Sequence, residues 1–347
     1  MLRDYSSFDL IATANLTEGL FTSVNTIAGS ITVSPGTGRR ATQSLHLRAP
    51  VLDVANARRT FDAQTTWGLG FAYKINNVAL ITHDICAFRD GGIPQVDLVV
   101  LPDGRLQVTR NGTVLGTSTV AISSSTYYFL EFRAIIDNTG GAVKVRVNNA
   151  VVLNVTGIDT QATGNAFANE IMLGSARVLN TSGGDLITDI DDLHIYDGQA
   201  GAVTDCIGDC RVDALHPTAD VAVQFTHSTG ATNYGTVDES PPNGDTDYNE
   251  SSTVGHLDRF TMEPVPALLT PTIYSVKINT YARNPQPGIR SLTGHVHSNS
   301  STANGASHSL GGTYLMYGDL FETDPDTTAA WTQSGIDAAS FGYTILS

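Results

Sequence analysis

The chain has 347 residues, enough for two domains of ordinary size, and is 41% hydrophobic and only 15% charged. Its formal net charge of −15 excludes a surface built for nucleic acid or anionic membrane, both of which need clustered Lys and Arg. No apolar run approaches the roughly 18 residues of a membrane span, and MLRDYSSFDL lacks the apolar core of a signal peptide, so no leader is read at the N-terminus.

Strand signals begin almost at once. FDLIATA is followed by SLHLRAP, after the GTGRR turn, and then by TTWGLGFAY. VDLVVLPDGRLQVTRNGTVLGTSTV reads as a meander, with Asp103-Gly104 and Asn111-Gly112 as hairpin turns. FLEFRAII, a Gly-Gly break and the alternation of Val143, Val145 and Val147 come next, then an Asn148-Asn149 turn. NEIMLG and ITDIDDLHIYD complete the series. Period-two alternation bounded by turn residues predicts antiparallel strands with one buried face, packed as two sheets. Residues 1–198 are therefore read as one domain and 199–211 (from the QAGAVTDCIGDC stretch) as a small, polar linker. Residues 212–347 read as a second domain, with strands at VAVQFTHS, HLDRFTMEP, TIYSVKINTYARN, SLTGHVHS and GGTYLMYGDLF. The polar stretch between the first two predicts a surface loop. After the Asp324-Pro325 turn, AAWTQSGIDAAS predicts one short helix and FGYTIL a last strand.

The strand order and the ITDIDDLHIYD strand resemble a laminin-G-like, concanavalin A-like jelly roll. The fold expected is all-β, such a sandwich followed by a second β-sandwich with one short C-terminal helix. The Gly208-Asp209-Cys210-Arg211-Val212-Asp213 stretch, the segment from Thr229-Gly230 to Tyr248, and Ala330-Trp331-Thr332 with Gly335-Ile336 resemble bacteriophage virion structural proteins. That resemblance implies a capsid decoration, spike or tail component made in the host cytoplasm and carried on the virion. It implies contact with other virion proteins, a homo-oligomer with a trimer as the expected form, and contact with the host surface. Acidity keeps such a many-copy protein soluble.

Jelly rolls also house glycoside hydrolases, whose chemistry needs paired carboxylates. Asp189 and Asp191 share a strand face, but the Glu-x-Asp-x-x-Glu signature of laminarinases is absent and no nucleophile motif stands out. Asp189, Asp191, Asp192 and Asp197 supply the hard oxygens of a rim Ca²⁺ site, against hydrogen bonding to backbone as the simpler role. His295 and His297 lie one strand repeat apart and supply two ligands for a transition metal. Cys206, Cys210 and His216 offer three more. The three cysteines make no disulfide framework, and free thiols are expected. Gly38-Arg39-Arg40 and Arg58-Arg59 read as solvated turns or contacts to an acidic neighbour. The Asn-x-Ser/Thr sequons, Asn180 among them, arise by chance in a chain this rich in Asn, Ser and Thr. No cofactor is expected.

Two functions compete. The first is a non-enzymatic virion structural protein. The second is a carbohydrate-binding host-attachment module, for which Tyr127, Tyr128, Tyr234 and Tyr248, with Trp331, are the available aromatic platforms. A glycoside hydrolase is a distant third.

Overall fold

The computed structural model describes residues 1–179, 184–267 and 271–347, so the Asn180 sequon lies outside the described residues. The chain forms two compact units. The first comprises Met1–Asp9 and Leu20–Val212, the second Leu10–Gly19 and Asp213–Ser347. Two boundaries thus differ from those read in the sequence. Residues 199–211 are part of the first unit rather than a free linker, and Leu10–Gly19 belongs with the C-terminal half.

Among the described residues the first unit has fifteen strands. They are β1 (Leu2–Ser6), β2 (Ser23–Thr26), β3 (Ser30–Pro35), β4 (Gln43–Ala49), β5 (Asp53–Gln64), β6 (Thr66–Ile75), β7 (His83–Asp90) and β8 (Ile93–Val100). Then follow β9 (Arg105–Arg110), β10 (Thr113–Ala121), β11 (Tyr128–Ile135), β12 (Gly141–Val147), β13 (Ala150–Ile158), β14 (Ala168–Leu179) and β15 (Leu186–Asp197). One sheet runs β13-β12-β11-β6-β15-β4-β3, with β1 added beside β15. The other runs β10-β9-β8-β7-β14-β5-β2, and every pairing in both is antiparallel. This is the two-sheet jelly-roll sandwich expected.

The turns follow from residue chemistry. Asn111 and Gly112 both have positive φ (43° and 87°), as do Asn148 and Asn149 (46° and 74°), the conformation that two-residue hairpin loops require. Along β12 burial alternates residue by residue, with Val143, Val145 and Val147 buried and Lys144 and Arg146 turned to the opposite face. Inward residues of the two sheets meet in the core. Phe132 stacks on Phe88 at 5.0 Å, and the Trp67 indole donates to the Ala168 carbonyl at 2.8 Å. Cys86 is a buried free thiol.

The second unit is a smaller β-sandwich. Its strands are β16 (Pro217–Ala222), β17 (Thr226–His227), β18 (Asn249–Glu250), β19 (Leu257–Met262), β20 (Val276–Ala282) and β21 (Ser291–Ser298). β22 (Ser301–Asn304), β23 (His308–Ser309), β24 (Leu315–Phe321) and β25 (Ser340–Ile345) complete it. A six-stranded sheet runs β16-β19-β25-β21-β22 with β23 beside β21, and β20-β24 forms a separate ribbon. Val296, Phe321, Trp331, Ile336 and Phe341 make its core, with Ile278 of the ribbon packed against them. The short helix α1 (Gln333–Ala338) starts where Thr332 caps it, its side chain accepting from the Gly335 amide. The polar loop after β16 is pinned rather than free. Buried Asp258 accepts from the Gln224 and Phe225 amides and from the Asn233 side chain.

Candidate functional site

The eight-stranded sheet has a second face, opposite the core, and its strand register sorts that face into rungs. In one, Asp189 of β15 stands opposite His46 of β4 and Lys74 of β6, with Tyr127 just before β11. In the next, Phe129 pairs with Ala72, which pairs with Asp191. Then come Arg146, Glu131, Gly70 and His194, followed by Lys144, Arg133, Gly68 and Tyr196. Rungs on one face lie about 7 Å apart, two residues of extended chain.

The first rung is partly open to solvent. Asp189 accepts from His46 Nδ1 at 2.6 Å and pairs with Lys74 Nζ at 2.7 Å. The Lys74 ammonium sits 4.7 Å from the centre of the Tyr127 ring, a cation–π contact. The His46 and Lys74 side chains are 21% and 26% exposed, whereas Asp189 is 5% exposed. Burial alone would raise the Asp189 pKa, but the hydrogen bonds from His46 and Lys74 outweigh it and hold the carboxyl below its ordinary value.

The inner rungs are closed. Phe129, His194 and Tyr196 form a row of near-parallel rings, each centroid 6.1 Å from the next. The rings lie flat on the sheet because β6 offers glycine beneath them. A Cβ on Gly70 would fall 2.0 Å from His194 Cε1, and one on Gly68 the same distance from Tyr196 Cζ. We expect Gly70→Ala to cost about 1–3 kcal/mol by overpacking, read as a lower urea midpoint with an unchanged m-value. Burial lowers the His194 pKa to about 4, so its imidazole is neutral at physiological pH.

Residues 203–212 lie across this row. Gly208 donates its amide to Glu131 at 2.8 Å, and Asp205 pairs with Lys144 at 2.6 Å. The Arg39 guanidinium grips the Asp209 carboxylate through both terminal nitrogens and lies over the Phe129 ring. Tyr196 donates its hydroxyl to Cys206 Sγ, and Cys210 Sγ is 3.4 Å from His194 Nδ1. Burial foremost, and then the Glu131 carboxylate, push the Cys206 thiol up to about 11.

Several residues singled out in the sequence take other roles. Asp189 and Asp191 do share the outer face, opposite Lys74 and Ala72, and the register shifts only after Asp191, where Asp192 takes a φ of 51°. Asp191 accepts from the Arg39 amide, and Asp192 from Arg40 and the Val212 amide. Asp197 is held by Arg3 and the N-terminal ammonium. The four carboxylates therefore face separate internal partners. Among the described residues no group of three or more His, Cys, Asp or Glu side chains is arranged to hold a metal. Arg39 and Arg40 serve these carboxylates and Asp209 instead of lying as free turns. His295 and His297 bond Asn304 and Thr302 through their Nδ1 atoms, one buried and the other half-buried.

The four tyrosines are divided between the two units. Tyr127 and Tyr128 belong to the first unit, Tyr234 and Tyr248 to the second. Tyr128 accepts from the Ser123 amide, Tyr234 lies in a 3₁₀ turn (Tyr234–Thr236), and Tyr248 is half-buried. Trp331 is core, its indole donating to the Phe321 carbonyl. Sequence reasoning missed His46 and Lys74, which come from strands far apart in the chain. The Gly68-Leu69-Gly70 alternation was the one local sign of rings packed flat against a strand.

No protein-family model matches the chain, and no curated protein matches it. Among solved structures it is similar to a sialidase at 13% identity and TM-score 0.43, over 56% of this chain and 18% of the sialidase. It is also similar to an alginate lyase at 13% identity and TM-score 0.39, over 55% of this chain and 92% of the lyase. A third is an alginate lyase of polysaccharide lyase family 7, at 15% identity and TM-score 0.36, over 44% of this chain and 79% of the lyase. The chain thus spans less than a fifth of the sialidase's length. Each of the three is named as an enzyme, and this corrects the sequence-based expectations of a virion structural role and of a protein that is not an enzyme. At such identities and TM-scores the likeness transfers no activity, and any function must be argued from this chain's own residues.

Proposed function

We propose that the first unit binds a saccharide on the open rung of its eight-stranded sheet. The observation that carries this reading is the partly open pair of Lys74 and His46, both fixed on buried Asp189 beside the Tyr127 ring. A saccharide site needs an apolar ring to hold a sugar face and a few fixed polar groups to take its hydroxyls. Here His46 and Lys74 are both tethered to the same carboxylate, so their geometry is set before a ligand arrives. Because the charges are already paired, the set suits the hydroxyls of a neutral sugar better than a bare carboxylate.

A glycan array covering neutral and uronate-bearing chains tests the reading. Lys74→Ala and His46→Ala should each weaken binding by about tenfold or more, equivalent to roughly 1.4 kcal/mol, with circular dichroism unchanged. An array without hits, or variants that bind like wild type, would refute it.

A second reading rests on one further detail. Asp189 fixes His46 through Nδ1, leaving Nε2 as the available nitrogen of a general acid or base. Saccharide cleavage that appears with wild type and is lost in His46→Ala would favour this reading over binding alone.

A further inference from the structure

We propose that residues 203–212 are a specificity-determining wall, which closes the middle of the sheet face and confines a saccharide to the His46–Lys74–Tyr127 end. The proposal rests on the saccharide reading for the identity of the ligand, but the wall itself stands on separate geometry. The aromatic row of Phe129, His194 and Tyr196 continues the face beyond the open rung and would extend a sugar platform along it. It is roofed by the chain's own backbone instead.

The fastenings decide between a fixed wall and a lid. Val203 is fully buried. The Gly208 amide reaches Glu131, itself 1% exposed and paired with Arg146 at 3.1 Å. The Asp209 amide donates to Asn149 Oδ1 at 2.6 Å, and Val212 donates to buried Asp192 at 2.8 Å. Arg146 and Arg39 each donate to a carbonyl of the segment, those of Cys206 and Cys210. Lifting the segment would strip partners from several buried charged groups at once, and hydrogen bonds to charged groups are the costly ones to lose. Gly208 is the pivot. Its φ is +92°, and a Cβ there would fall 2.6 Å from Asn149 Oδ1, so glycine is required for the seated path.

Amide hydrogen exchange reports on the wall without any ligand. In native buffer the Gly208 and Val212 amides, bonded to Glu131 and Asp192, should be protected to within about tenfold of the core amides of β6, all limited by unfolding. Protection of the pair more than about tenfold weaker than that of β6 would reveal a segment that opens, and would overturn the wall. Gly208→Ala should speed exchange at positions 208 and 212 while the β6 amides stay unchanged. In a second arm, affinity for any glycan that binds should level off with oligosaccharide length in wild type and keep rising with length in Gly208→Ala. A steady rise in the wild-type protein would also overturn the wall. If no glycan binds, the saccharide reading fails, whereas the exchange rates still decide whether the segment is fixed.

Discussion

Trp67→Ala is expected to destabilise the first unit by about 3–5 kcal/mol, the range for truncating a fully buried large aromatic side chain. Trp67 is 0% exposed on β6, a central strand of the eight-stranded sheet. Its ring packs on Phe61 at 5.0 Å, and its indole N–H reaches across the core to the Ala168 carbonyl on the facing sheet. The substitution therefore opens a cavity and strands a buried carbonyl, two costs that add. Trp67→Phe restores most of the volume but not the hydrogen bond, and should lose only about 1–2 kcal/mol. The second unit provides a control, because Trp331 is the one other tryptophan in the chain. In Trp67→Ala its emission reports the second unit alone, while circular dichroism reports both. A loss of first-unit stability below about 1 kcal/mol would show that the core can collapse into the gap.

What the sequence made legible was local. The Asn-Gly and Asn-Asn turns need φ values that few residues tolerate, and the Val143–Val147 alternation can bury only one face, so those hairpins follow directly from neighbouring residues. The Thr332 cap and the helix after it are equally local. What stayed hidden was set by contacts between distant positions. His46 and Asp189 are 143 residues apart, and Arg39 and Asp209 are 170 apart. Nothing in the composition of 199–211 distinguishes a solvated linker from a segment seated on a sheet, because its Gly and Asp residues suit either. The bulge that follows Asp191 stayed hidden for a similar reason. Asp192 turns into the left-handed region where Arg40 and the Val212 amide hold it, and neither partner is visible in ITDIDDLHIYD.

Asp97→Asn should stabilise the protein at alkaline pH by about 2–4 kcal/mol, with the gain fading as the pH falls toward 4. Asp97 is 3% exposed on β8, and burial, reinforced by the nearby Asp84 carboxylate, raises its pKa from 3.8 to about 7. Arg177, Thr109 and Arg89 pull the other way without prevailing. The sign follows from proton counting. Between the unfolded and folded pKa values the native state holds a proton that the unfolded chain has released, so stability declines as pH rises from about 4 to 7 and then levels off. Asparagine keeps the shape and removes the charge, so the variant escapes that decline. Asp191, raised to about 6 by burial and Asp192, slopes in the same direction. His83 and His194, lowered to about 4 by burial, slope in the opposite one. The wild-type profile is therefore a sum of opposing contributions, and its shape alone would not identify Asp97. Subtracting the wild-type from the variant stability at each pH cancels the other groups and leaves this carboxyl. Denaturant titrations at several pH values between 4 and 8 provide that difference. A gain that stays constant across the range would mean that the charge of Asp97 is not what the substitution removes.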